Sequence, residues 1–148
     1  MDAGQVALVQ RSFGAVAPRG AEVARVFYAM LFDTCPELRA LFGADMERQG
    51  LKLMAALRLA VQGLEAPERA APALERLGRA HLAYGVRDEH YAQVGAALLG
   101  ALERVLGEEF TPATGAAWAA AYETLSRVMR AAATEEAFGL ALPTGLRS

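Results

Sequence analysis

What most constrains this chain of 148 residues is a helical repeat of apolar side chains running almost from end to end. Apolar residues return every three or four positions, as a period of 3.6 demands. No segment shows the strict alternation that a half-buried strand needs. The apolar fraction of 54% is made largely of alanine and leucine rather than valine and isoleucine, and those side chains lose little rotamer freedom in a helix. An all-α fold of six to seven helices around one core is expected, since the chain has the length of a single domain.

Punctuation sets the expected boundaries. A first helix runs from Gly4 to Val16, with Val6, Val9, Phe13 and Val16 on one face and Pro18 as its stop. A second, from Gly20 to Phe32, carries Val23, Val26, Phe27, Met30 and Leu31. In "DTCPELRALFG" Pro36 opens a short helix that Gly43 closes. A third is capped by Asp45 and continues to Leu64, with Gln49, Leu53, Ala56, Leu57 and Ala60 along one side. "EAPERAAP" reads as a loop, and Pro72 suits the first turn of a fourth helix ending near Tyr84 and Gly85. Two longer helices follow, Asp88 to Leu106 and Thr111 to Ala133, separated by "GEEF". Residues 1–133 form the expected domain and 134–148 a frayed tail.

Charge and cysteine usage narrow the function classes. Lys and Arg total 15 against 17 Asp and Glu, with no basic run to attract nucleic acid or an anionic membrane, so small neutral ligands fit better. A lone cysteine, Cys35, forms no internal disulfide, which suits a reducing compartment. The segment "MDAGQVALVQRSF" does not read as a signal peptide, and no window is apolar enough to span a bilayer, so a cytoplasmic location is expected. The oligomeric state is not legible in the sequence.

Both histidines fall in "LGRAHLAYGVRDEHY". His81 shares a helical face with Leu74, Leu77 and Gly78, so its imidazole points where apolar side chains point. Spacing alone leaves two readings open: a core histidine with a satisfied hydrogen bond, or a ligand to iron or haem. Gly78, one turn earlier, would let a flat group approach the helix. His90, in the first turn of the next helix beside two acids, reads as a solvated side chain.

The blocks "FYAMLF" at 27–32, "PELRALF" at 36–42, "QGLKLM" at 49–54, "LGRAHLAYGV" at 77–86, "HYAQVGAALL" at 90–99 and "AWAAAY" at 117–122 carry a resemblance. In this order and spacing the chain resembles the globin family, specifically bacterial single-domain haemoglobins and the haem domain of flavohaemoglobins. The resemblance implies a globin fold around haem b (iron protoporphyrin IX), with His81 as the proximal ligand to iron. It matches Phe42 to the phenylalanine packed flat on the porphyrin, Tyr28 to the distal tyrosine, and Gln49 to the distal position that is usually histidine in animal oxygen carriers. Leu53, one turn beyond Gln49, shares its wall of the pocket. Lys52 falls where a lysine reaches a haem propionate. Leu57, Leu77, Val86, Tyr91 and Val94 complete the implied lining.

Bound dioxygen carries partial negative charge on its outer oxygen, so a donor in a dry pocket stabilises it by about 1–3 kcal/mol. Tyrosine with glutamine therefore suggests high affinity and slow release. Tyr91 also matches a tyrosine that, in flavohaemoglobins, joins the proximal histidine and a glutamate of the last helix. Here the sequence departs: the glutamate position falls at Ala133, and the nearest acids are Glu135 and Glu136. With the chain ending at Ser148, the flavin and nicotinamide domain of a flavohaemoglobin is expected to be absent, so turnover would need an external reductase. The implied ligands are dioxygen and the related diatomics NO and CO. The implied roles are oxygen storage, supply or scavenging, or nitric oxide dioxygenation with a separate electron donor.

Overall fold

The structure, a computed structural model, describes the backbone of residues 1–141 and side chains as far as residue 136. Six α-helices appear among the described residues: α1 (Ala3–Val16), α2 (Gly20–Thr34), α3 (Met46–Gln62), α4 (Pro67–Ala83), α5 (His90–Leu106) and α6 (Pro112–Ala141). Short 3-10 helices occupy Ala17–Arg19, Pro36–Leu41 and Gly107–Glu109. No strand occurs among the described residues.

Local chemistry accounts for most of the boundaries. Asp2 and Gln5 form a reciprocal capping box at the start of α1, and the Asp45 carboxylate accepts the Arg48 N–H at the start of α3. Helix α2 runs two residues past the expected Phe32 and α3 stops two short of Leu64, and three further boundaries also differ from expectation. Helix α4 begins at Pro67 and runs through Pro72. Pro67 already suits a first helical position, and Ala70 is drawn inward against Gly63, so packing outweighs the hydrogen bond that Pro72 cannot donate. Helix α5 begins at His90 rather than Asp88. Helix α6 continues to Ala141 past the expected end at Ala133; no proline interrupts the sequence between Pro112 and Pro143. The segment 142–148 of the expected tail lies outside the described residues.

The main core joins α1, α2, α3, α5 and α6 through Val9, Val23, Leu31, Leu57, Leu102 and Trp118. A second cluster of Ala70, Leu74, Tyr91 and Met129, with Leu77 and Val86 packed on it, ties α4 to α6 and to the start of α5. The expected face of α1 is borne out, with Val9, Phe13 and Val16 buried. Ser12 joins them because its hydroxyl accepts the Trp118 indole N–H at 2.8 Å.

Candidate functional site

Two close helix crossings position the side chains of interest. Helix α3 can lie against α2 because residue 50 is glycine: a Cβ there would stand 2.9 Å from the Cβ of Ala24. One turn along α2 from that crossing, the Tyr28 hydroxyl donates to the Gln49 main-chain carbonyl at 3.2 Å. The Tyr28 ring stacks on Phe32 with centroids 5.7 Å apart, and meets Phe42 edge-on at 5.4 Å. Phe42 itself lies just after the Pro36–Leu41 turn, which swings it back onto α2. Tyr28 is 8% exposed, and burial pushes its pKa up to about 12, so the phenol keeps its proton at neutral pH.

The second crossing places His81. Any Cβ at Gly78 would collide with the main chain of Met129, so α4 and α6 touch backbone to backbone. This corrects the expected use of Gly78: its missing side chain admits a neighbouring helix. His81 sits in the last turn of α4, which ends at Ala83; just beyond it Gly85 adopts φ of +95° and the Val86 N–H returns to the His81 carbonyl at 2.9 Å. The imidazole meets the Tyr91 ring edge-on, with centroids 6.2 Å apart. Burial lowers its pKa below the ordinary histidine value, which favours the neutral ring.

Among the described residues, three buried side-chain polar atoms have no hydrogen-bond partner: His81 Nδ1, the Tyr91 hydroxyl and Gln93 Oε1. Such orphans are uncommon in a folded chain, and two of them belong to rings in contact. Glu135 is exposed, and neither it nor Glu136 reaches His81 Nδ1 or the Tyr91 hydroxyl. The turn of α6 before them offers Ala132 and Ala133.

Tyr28, Phe42 and Gln49 are thus brought together, while His81, Tyr91, Leu77 and Val86 gather in the second cluster. Leu53 and Val94 are partly buried against the main core, and Gln49 is half-buried. Lys52 is exposed. Leu57 is buried and lines an apolar cavity between α1, α3, α4 and α6. His90 corrects the solvated reading: it is 6% exposed, and its Nδ1 accepts the Arg87 N–H at 2.9 Å, closing the turn before α5. Sequence reasoning missed Tyr122, whose hydroxyl donates to the Tyr91 carbonyl at 2.6 Å and so fixes the residue beside His81. Its spacing of 31 residues from Tyr91 carries no local signal.

Comparison with known proteins agrees with this architecture. A profile of the Globin family matches residues 25–129. A flavohemoprotein from Bordetella parapertussis is 36% identical over 83% of this chain, and one from Deinococcus radiodurans is 34% identical over 84%. The chain spans about a third of the length of these relatives, 31% and 32% respectively. Among solved structures, an engineered carbene transferase from Rhodothermus marinus, described as a candidate nitric oxide dioxygenase, superposes with a TM-score of 0.87 at 28% identity. That alignment covers 96% of this chain and 99% of the other. A bacterial globin from Campylobacter jejuni gives 0.82 at 24% identity, covering 90% and 97%, a likeness of fold. With the family profile spanning most of its helices, this chain belongs to the globin family.

Proposed function

We propose that the protein holds haem b through His81 and binds dioxygen with high affinity and slow release, for storage, supply or scavenging. The observation that carries this reading is the half-buried His81, whose Nδ1 is buried without a partner and whose burial lowers its pKa, leaving a neutral ring able to act as a nitrogen ligand. The residues present fit a flat metal-bearing ring, with an unprotonated donor on α4 and the aromatic ring of Phe42 packed beside Tyr28. Haem iron supplies the reversible coordination of a diatomic molecule.

The chain's own residues supply the selectivity. Tyr28 offers an O–H in surroundings of Phe27, Phe32 and Phe42, where a hydrogen bond is stronger than in water. Its present bond to the Gln49 carbonyl, at 3.2 Å, is long for an O–H donor, so exchanging that acceptor for a ligand oxygen costs little. Leu53 and Phe42 keep water from competing. A donor placed this way contributes about 1–3 kcal/mol to ligand retention. Lys52, exposed on the outer side of α3, is free to meet a haem propionate.

The test begins with colour. Purified protein supplied with haem should show a Soret band and a five-coordinate ferrous spectrum. His81→Ala should retain haem weakly and lose that spectrum, and normal haem content in this variant would overturn the assignment.

A second reading, nitric oxide dioxygenation, is supported by the Rhodothermus structure, which matches this chain over nearly its whole length. In this reaction nitric oxide, dioxygen and one electron give nitrate, so each turnover draws an electron from a separate reductase. Sustained nitric oxide consumption under continuous reduction would establish it. Consumption that stops after one equivalent would leave oxygen binding alone.

A further inference from the structure

Between α5 and α6 runs an open groove of about 430 Å³, within the range of about 300–1,000 Å³ usual for small-molecule sites. Gly95 shapes its floor: a Cβ there would stand 2.6 Å from the Tyr122 ring, so the absent side chain lets that ring lie against α5. Ala92, Ala96 and Leu99 make one stretch of wall apolar. Four charged side chains also line the groove, and two of them are committed elsewhere: Glu89 pairs with Arg87 at 3.1 Å and Glu123 with Arg127 at 3.1 Å. Asp88 and Arg130 remain, and their own pair is stretched. Arg130 Nη1 stands 3.8 Å from Asp88 Oδ1, beyond hydrogen-bond reach, and its Nε makes a long bond of 3.4 Å to the Ser126 carbonyl. Both charges act, with opposite sign, on the phenol of Tyr91, which lines the same groove and whose buried hydroxyl has no partner.

We propose that this groove binds an α-amino acid with an apolar side chain. A guest with a single charge would leave one member of the stretched pair opposed: a carboxylate meets Arg130 but faces Asp88, and an amine meets Asp88 but faces Arg130. A zwitterion answers both. Its carboxylate sits against the guanidinium and its ammonium against Asp88, which is exposed and can turn aside to admit it, while its side chain covers Ala92, Ala96 and Leu99. A head group seated there also offers the Tyr91 hydroxyl the partner it lacks. None of this requires haem.

Three probes of similar body and different charge test it: L-phenylalanine, 3-phenylpropionate and 2-phenylethylamine. Calorimetric titration of the full chain should give L-phenylalanine an affinity about tenfold or more above either of the others, the worth of one charge-assisted contact. Arg130→Gln should lower L-phenylalanine affinity about tenfold without weakening 2-phenylethylamine, and Asp88→Asn should erase the preference over 3-phenylpropionate. Ala96→Leu, at an exposed wall position, should block the guest while leaving both charges in place. Amide NMR shifts centred on Ala92 and Ala96 would place the guest in the groove. Absence of L-phenylalanine binding at millimolar concentration, equal affinity for the three probes, tighter binding of a singly charged one, or shifts confined to another surface would overturn the proposal. Because every readout is taken without haem, the groove and the haem reading fail separately.

Discussion

Tyr28 concentrates the chemistry of this protein in one hydroxyl. Its neighbours are aromatic, its acceptor is a helix carbonyl, and its proton is held by burial to about pH 12. Replacing it with phenylalanine keeps the ring and removes only the donor. Tyr28→Phe should speed dioxygen dissociation about tenfold or more, read by stopped flow, if the phenol makes the main hydrogen bond. An unchanged rate would pass that role to the Gln49 amide. His81 is the complementary case, since its orphaned Nδ1 and the orphaned Tyr91 hydroxyl lack the carboxylate that the flavohaemoglobin resemblance implied. Ala133 shows why the sequence was readable here: a missing functional group is as legible as a present one once spacing is known.

At the scale of elements, close helix crossings decide where the functional side chains stand. Gly78 at the α4–α6 contact faces main-chain atoms of Met129, which have no freedom to move aside. Gly78→Ala should destabilise the protein by about 1–3 kcal/mol, seen as a lower urea midpoint, despite alanine's better helix propensity. Gly14 gives the opposite case: it is exposed near the end of α1, and nothing lies within 4 Å of where its Cβ would be. Gly14→Ala should stabilise by about 0.5–1 kcal/mol, since only the backbone entropy term remains. Both glycines lie in helical segments of the sequence, and nothing local distinguishes them. The opposite signs come from the partner helix alone.

For the whole molecule, burial of three phenols couples stability to alkaline pH. Desolvation raises the pKa values of Tyr28, Tyr91 and Tyr122 in the folded chain. Unfolded tyrosines ionise near pH 10, so above that pH the unfolded state releases protons that the folded state still holds. Their contribution is complete below about pH 10 and is lost as pH rises past it. Thermal midpoints should therefore fall steeply above that pH, and Tyr28→Phe should flatten part of the slope. A slope unaffected by the substitution would place the alkaline sensitivity elsewhere. The described helices also include none long and apolar enough to cross a membrane.

Periodicity and caps were sufficient to determine an all-α chain, the short turn carrying Phe42, and the helices bearing Tyr28, Gln49 and His81, because these depend on residues within a few positions of one another. Tertiary structure decided what depends on distant partners. Packing of Ala70 against Gly63 carried α4 back to Pro67, His90 turned inward to cap its own loop, and Gly78 received α6. It also set Tyr122 onto the Tyr91 carbonyl and left an apolar cavity behind Leu57. The physical reason is range: a helix is specified by neighbours three and four residues apart, whereas a buried polar group or a void is defined by which surfaces meet once the helices have packed.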